Sequence, residues 1–152
     1  MKLSDALTAD RIVLNLSSKD KASAIQELLE VMDRSVPLPN PERLLPMILN
    51  QERVKSSGVN RGVAIPHTRS DEIKNVVIAL GISRDGIDFQ GLDGALAQLI
   101  FLVLSSAATT PAYLSVLSRT ARIFSKEGMR QQVLGAASAE AIVDLIREQE
   151  PV

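Results

Sequence analysis

The sequence carries a single histidine, His67, and no cysteine, so any imidazole chemistry must take place at that one position. Residues 56–69 around it read Ser-Ser-Gly-Val-Asn-Arg-Gly-Val-Ala-Ile-Pro-His-Thr-Arg. Pro66 fixes φ and has no N–H, which predicts that a short buried strand over residues 63–65 ends abruptly there. His67 is then held rigidly at a strand end, beside a loop rich in N–H and hydroxyl donors.

A neutral imidazole held in this way is suited to phosphoryl transfer. One ring nitrogen attacks phosphorus while the other keeps a proton that it shares with a carbonyl or carboxylate. The phosphoryl oxygens need donors, and Arg53, Arg61 and Arg69 lie near enough in sequence to supply a cation. A purely structural role is the alternative, because a lone histidine is often only hydrogen-bonded, and Gly58 and Gly62 are typical of plain turns.

The composition excludes several other kinds of chemistry. The chain cannot form a Cys/His zinc site, an iron–sulfur cluster, a disulfide or a thiol nucleophile, so we expect no metal site and no cofactor. The 17 Lys and Arg residues nearly balance the 18 Asp and Glu residues, and aromatic residues are few, so a nucleic-acid partner is not expected. The length of 152 residues is typical of one domain with its own core.

The sequence shows no targeting or membrane signal. Residues 1–5 lack the charged and then apolar pattern of a signal peptide. The most apolar run, Leu96 to Leu104, is far shorter than the ~20 residues that a bilayer-spanning helix needs. We therefore expect a cytoplasmic protein without membrane insertion, and the lack of cysteine fits a reducing compartment.

Two helical patterns occupy the N-terminal third and are separated by the proline-rich residues 37–41. The first begins near residues 17–18 and has one apolar face, formed by Ile25, Leu28, Leu29 and Met32. In the second, Asn40 can cap the helix and Pro41 can take its first position, whereas Pro46 predicts a kink or a later start.

Three apolar runs are typical of buried strands: residues 11–16, 76–82 and 99–104. Asp85-Gly86 is a turn signal, and it predicts a short edge strand over residues 86–89.

Two helical patterns end the chain. Thr110 and Pro111 predict the start of the first, whose inner face is expected to carry Leu114, Leu117, Ala121 and Phe124. Ser138 caps the second, with Ala141, Ile142, Leu145 and Ile146 inward. Strands that alternate with helices predict a single α/β domain over residues 1–152, a sandwich with a central mixed β-sheet flanked by helices on both faces. We expect the functional site in loops at strand ends.

Residues 62–67, preceded by Ser-Ser-Gly at 56–58, resemble a known signature. It is the phosphorylation-site pattern of enzyme IIA domains of the bacterial sugar phosphotransferase system (PTS), of the fructose/mannitol and nitrogen-regulatory type. That pattern is roughly Ser-Thr-Gly-x-Gly-x-Gly-x-Ala-x-Pro-His. Residues 3–7, 22–32 and 96–104 resemble the opening, the first long helix and the late core strand of the same family, so the resemblance covers essentially the whole chain.

The resemblance implies that His67 accepts a phosphoryl group from the phosphohistidine of an HPr-type phosphocarrier protein. The group then passes to an enzyme IIB partner, or regulatory target proteins respond to the phosphorylation state. Ser56, Ser57 and Gly58 would help to bind the phosphoryl group. The surface around His67 would be the docking patch, apolar with a polar rim.

The chain departs from the family pattern at four positions. Ser57 replaces the usual threonine and Asn60 the middle glycine, and both changes are compatible with the loop. Gln51 stands where the family commonly has an arginine, sixteen residues before the histidine. Tyr113 stands where a second histidine usually begins the late helix.

Two groups that help to bind the phosphoryl group are therefore replaced by neutral ones. Arg53 or Arg61 can supply the missing cation. Tyr113 either donates its hydroxyl to the phosphoryl group or packs as a partly buried aromatic residue with Leu117.

These departures leave a second function open, a regulatory protein-binding module of the same fold with weak or lost phosphoryl transfer. A third hypothesis, a hydrolase that uses Ser56 or Ser57 with His67, lacks the Gly-x-Ser-x-Gly string of a nucleophile elbow.

Overall fold

The computed structural model describes residues 1–54, 59–90 and 94–151. In these residues the helices are α1 Leu3–Ala6, α2 Lys21–Ser35, α3 Pro41–Val54, α4 Thr110–Phe124, α5 Glu127–Leu134 and α6 Ala139–Glu148. The strands are β1 Ile12–Val13, β2 Val59–Asn60, β3 Val63–Ala64, β4 His67–Arg69, β5 Val77–Ile87 and β6 Ala97–Ser105. Short 3₁₀ turns, Ala9–Arg11 and Ala107–Thr109, precede β1 and α4. None of the helices in these ranges is long and apolar enough to cross a membrane.

The strands form one mixed sheet in the order β1-β5-β6-β3-β2, and β4 also pairs with β6. The central pair, β5 and β6, is antiparallel, whereas β1 runs parallel to β5, and β3 and β4 run parallel to β6. The mixed sheet expected from the sequence is therefore confirmed.

Helices cover both faces of the sheet, as predicted. Side chains of β6 alternate between two cores: Leu99, Phe101 and Val103 face one, and Ile100 and Leu102 face the other. The first core also receives residues of α1, α4, α5 and α6, and the second receives residues of α2 and α3. This two-sided burial explains why β5 and β6 are nearly continuous apolar runs.

The predicted helix near residues 17–18 begins later, because Asp20 is its cap. The Asp20 carboxylate accepts a hydrogen bond from the Ser23 N–H at 2.8 Å. The second helix starts at Pro41 and continues through Pro46, so the later start predicted there is wrong.

The strand predicted over residues 11–16 is confined to Ile12–Val13, since a 3₁₀ turn occupies the residues just before it. The turn predicted at Asp85-Gly86 is wrong, because β5 continues to Ile87. Four residues of β5, 83–86, oppose the single residue Gln98 of β6, which makes this segment a large bulge. Gly86, with φ of +83°, allows the backbone to bend there.

Helix α4 turns a different face inward from the one predicted. Its buried residues are Tyr113, Val116, Thr120, Ile123 and Phe124, whereas Ala121 is exposed and Leu114 is 56% exposed. Thr120 can be buried because its hydroxyl donates to the Val116 carbonyl at 2.8 Å. A further helix, α5, lies between the two predicted helices. The closing helix is confirmed, with the Ser138 hydroxyl accepting from the Ala141 N–H at 3.1 Å.

Candidate functional site

His67 is the first residue of β4, and the sheet sets the direction of its side chain. β3 ends at Ala64, and the chain resumes pairing with β6 at His67, opposite Val103. Between them the Pro66 carbonyl accepts a hydrogen bond from the Val103 N–H at 3.0 Å. The short strand therefore ends before Pro66, as predicted, but His67 begins a new strand instead of following the end of one. Since Val103 faces the core that contains α4, His67 faces the same side.

The imidazole is held by a bond to the backbone two residues earlier. Nδ1 of His67 lies 2.6 Å from the carbonyl oxygen of Ile65. A carbonyl oxygen can only accept, so Nδ1 carries the proton and the neutral ring has its lone pair on Nε2. In the described part of the chain, Nε2 makes no hydrogen bond to protein.

The partly buried His67 opens onto a shallow concavity of about 610 Å³. Its lining brings together α3, β4, the turn before α4, and α4 itself: Gln51, His67, Thr68, Arg69, Asp71, Ala107, Tyr113, Leu114 and Leu117. The structure therefore brings Gln51 and Tyr113, the two positions where the chain departs from the signature family, to the histidine. Leu114, expected in the core, lies on the surface beside it.

Tyr113 forms one wall of this concavity. Its ring meets the His67 ring edge-on, with 5.9 Å between centroids, and only 6% of the residue is exposed. Burial raises the pKa of the Tyr113 hydroxyl above its usual range, and the nearby Arg69 partly offsets this rise. Tyr113 is therefore a neutral O–H donor at physiological pH. Both readings of this residue agree with its position, since it is buried and also borders the site together with Leu117.

The other predicted site residues lie elsewhere or outside the described residues. Arg53 is exposed on α3 and donates to the Asn50 side chain at 2.8 Å. Arg61 lies two residues before Val63. Val63 and His67 pair with residues of β6 that are four positions apart, so about 13 Å of sheet separates Val63 from the histidine. Ser56, Ser57 and Gly58 lie outside the described residues.

In residues 1–54, 59–90 and 94–151, no three His, Asp or Glu side chains lie close enough together to hold a metal ion. The polar side chains that line the concavity with His67 carry an amide, a hydroxyl, a guanidinium, a phenol and the carboxylate of Asp71. The first four are donors for an anion, whereas the carboxylate of Asp71 can only accept.

The fold and the site define a class of protein: a small α/β domain that presents one oriented histidine on an open surface. Residues 5–149 match the family described as "Phosphoenolpyruvate-dependent sugar phosphotransferase system, EIIA 2". The chain belongs to this family, which confirms the resemblance drawn from the sequence.

Similar proteins include fructose-specific PTS components and a nitrogen regulatory protein. The chain is 36% identical over 97% of its length to the PTS system fructose-specific EIIABC component of Bacillus subtilis, and it spans 23% of that protein. It is 30% identical over 84% of its length to the PTS system fructose-specific EIIA component of Haloferax volcanii, covering 83% of that protein. The crystal structure of nitrogen regulatory protein IIA-Ntr from Neisseria meningitidis superimposes with a TM-score of 0.86 at 28% identity, covering 95% of this chain and 98% of that one.

Proposed function

We propose that the protein is a phosphocarrier in which Nε2 of His67 accepts a phosphoryl group from the phosphohistidine of an HPr-type carrier protein. The observation that supports this most directly is the 2.6 Å contact between Nδ1 and the Ile65 carbonyl oxygen. It keeps the proton on Nδ1 and presents a lone pair on Nε2 to an incoming phosphorus atom.

The transfer needs no proton to enter or leave the site. The lone pair of Nε2 forms the new nitrogen–phosphorus bond, while the bond to the donor imidazolium breaks and returns its electron pair to the donor ring. The positive charge thus moves from the donor ring to His67, where the carbonyl of Ile65 stabilises the proton on Nδ1. The Tyr113 hydroxyl is a proposed donor to the phosphoryl oxygens, and Ser56, Ser57 and Gly58 remain proposed donors on the strength of the sequence signature.

The rim of the concavity fits a partner that binds briefly. Leu114 is 56% exposed, and Leu117 and Ala107 extend the same apolar surface beside His67. Arg69 and Asp71 add charged groups at the edge. An apolar centre with a polar rim is typical of protein interfaces, and a small one permits rapid release. We propose that the HPr-type donor and an enzyme IIB acceptor use this surface in turn, in the cytoplasm.

A regulatory role is the second candidate. The similarity to IIA-Ntr of Neisseria meningitidis covers almost the whole of that chain, and neutral groups occupy positions 51 and 113 at the proposed phosphoryl site. In this role the protein binds a regulatory target, and phosphoryl transfer to His67 is slow or lost.

Transfer of a radioactive label from a phosphorylated HPr-type carrier tests the proposal. Wild-type protein is expected to gain the label and His67→Gln to gain none. Absence of label in the wild type, or equal label in both, contradicts the phosphocarrier function. Capture of the same target protein by unlabelled wild type and by His67→Gln would instead support the regulatory role.

A further inference from the structure

Arg69 lies on the same side of the sheet as His67. The two residues are two positions apart on β4, and they pair with Val103 and Ser105, also two positions apart, on β6. Thr68 between them is buried, and successive side chains of a strand alternate between its two faces. The Arg69 side chain therefore leaves the strand beside the imidazole and lines the same concavity.

The guanidinium of Arg69 lies against the tyrosine that also touches His67. Its Cζ atom is 5.6 Å from the centroid of the Tyr113 ring, over which it lies. Nη1 donates to the hydroxyl oxygen of Thr110 at 3.0 Å. Tyr113 is thus a common neighbour of the guanidinium and the imidazole.

This guanidinium has donors to spare and, among the residues that the structure describes, no anionic partner. An arginine has five N–H donors, and the bond to Thr110 uses one of Arg69's. No carboxylate lies within 4.0 Å of Arg69 in the described residues, whereas Arg43, Arg119 and Arg147 each contact one. A cation over an aromatic ring is held weakly compared with a guanidinium bound to a phosphoryl group. Arg69 can therefore leave the face of the Tyr113 ring when an anion binds beside it.

We infer that Arg69 is the cation that binds the phosphoryl group on His67, and that it rests on Tyr113 while His67 is unphosphorylated. The inference rests on the proposed phosphocarrier function. When the phosphoryl group arrives, the guanidinium leaves the ring and donates to the phosphoryl oxygens. Its departure uncovers the Tyr113 ring beside the exposed Leu114, so the docking surface differs between the two states and partner proteins can distinguish them.

A small chemical donor tests the role of Arg69 without a partner protein. Phosphoramidate transfers its phosphoryl group to imidazole as its own P–N bond breaks and ammonia leaves, and mass spectrometry counts the added groups. We expect Arg69→Gln to slow labelling of His67 on the order of tenfold to a hundredfold. Arg69→Lys keeps the charge and should recover part of the rate. Arg122→Gln, an equal change of charge on the exposed side of α4, is the matched control and should react like the wild type.

The outcomes separate this inference from the proposal on which it rests. No labelling of the wild type, or labelling that persists in His67→Gln, overturns the phosphocarrier function itself. Normal labelling of His67 with equal rates in Arg69→Gln and Arg122→Gln overturns only the role of Arg69. Unfolding midpoints of both arginine variants close to that of the wild type exclude a loss of folding as the cause of slow labelling.

The movement of Arg69 has its own test by NMR. The Nε–H resonance of Arg69, assigned by its loss in Arg69→Lys, is shielded by the ring of Tyr113 in the unphosphorylated protein. We expect phosphorylation to move it downfield, because the ring current is lost and a bond to a phosphoryl oxygen forms. An unchanged resonance in protein shown by mass to be phosphorylated contradicts the movement. A purely structural arginine would not give this shift.

Discussion

Glu150, just after α6, binds the N-terminal helix α1, and we expect its replacement to lower the free energy of unfolding. Its side chain is fully buried, and its carboxylate accepts from the Leu3 N–H at 2.7 Å and from the Ser4 N–H at 3.0 Å. Arg119 of α4 supplies the opposite charge at 3.4 Å. The same carboxylate therefore ties α1 to the helix that carries Tyr113.

Glu150→Gln replaces one acceptor oxygen with an NH₂ group that faces a backbone donor, and it leaves Arg119 without its carboxylate. A hydrogen bond to a charged group contributes about 1.5–3 kcal/mol, and breaking a buried ion pair costs up to about 3–5 kcal/mol. The side chain of Arg119 is 34% exposed and can regain water. We therefore expect the free energy of unfolding to fall by about 2–3 kcal/mol and Tm to fall by about 4–12 °C.

Urea unfolding followed by far-UV circular dichroism measures this loss. Glu148→Gln is the matched control, because Glu148 is exposed at the end of α6, two residues before Glu150, and its replacement changes the net charge equally. The reasoning is refuted if Glu150→Gln and Glu148→Gln both unfold within about 0.5 kcal/mol of the wild type, the range of ordinary surface substitutions.

Three further predictions concern the bulge, the tyrosine and the docking surface. Gly86→Ala should lower the free energy of unfolding by about 2 kcal/mol, because φ is +83° and the new Cβ would lie 2.6 Å from that of Leu96. Gly128→Ala, where nothing lies within 4 Å, should raise it by about 0.5–1 kcal/mol, and denaturant titration of both variants measures the difference. Tyr113 is the sole tyrosine and burial raises its pKa, so its alkaline absorbance titration should have a higher midpoint in the folded protein than in urea. As the pH rises, the unfolded chain loses this proton at a lower pH than the folded protein, so the free energy of unfolding falls through the two midpoints. Equal midpoints would contradict the burial of Tyr113. Leu114→Asp should slow labelling by an HPr-type carrier about tenfold or more, and slow phosphoramidate labelling much less, whereas equal slowing of both would count against docking at this surface.

The long strands β5 and β6 and the helices α2, α3, α4 and α6 could be predicted because their patterns reflect burial. Residues 77–82 of β5 and 99–104 of β6 are continuous apolar runs because helices cover both faces of the sheet, and that pattern is visible without knowing the neighbours. Ser138 caps α6 through a local bond, which depends only on residues close in the chain. The motif around His67 could be recognised from the sequence because its Pro and His are adjacent.

The inward face of α4 could not be predicted from its own sequence. Two overlapping stripes of apolar residues run along this helix, and the stripe with Leu114 is the more apolar one. The structure buries the stripe with Tyr113 and Thr120, because the Thr120 hydroxyl is satisfied inside the helix and Tyr113 packs against His67 from a distant strand. Tertiary contacts of this kind leave no mark on local periodicity.

The choice among the arginines near His67 could not be made from the sequence. Arg53, Arg61 and Arg69 lie 14, 6 and 2 residues from His67, and of these three only Arg69 lines the described concavity. Arg69 lies on the same side as His67 because side chains two residues apart on a strand share a face. This placement depends on β4 pairing with β6 after Pro66, which the sequence did not predict. The bulge at residues 83–86 was missed for a related reason, since Asp-Gly is equally compatible with a tight turn and with a bend inside a strand.

The most direct test of the central claim is to locate the phosphoryl group on the imidazole of His67. The chain has one histidine, so its two ring nitrogens can be followed by ¹⁵N NMR without ambiguity. Before phosphorylation we predict a protonated Nδ1 and an unprotonated Nε2, and after phosphorylation a phosphorus coupling at Nε2 with the proton still on Nδ1. Phosphorus on Nδ1, or no phosphorylation of the ring by either an HPr-type carrier or phosphoramidate, would contradict the account.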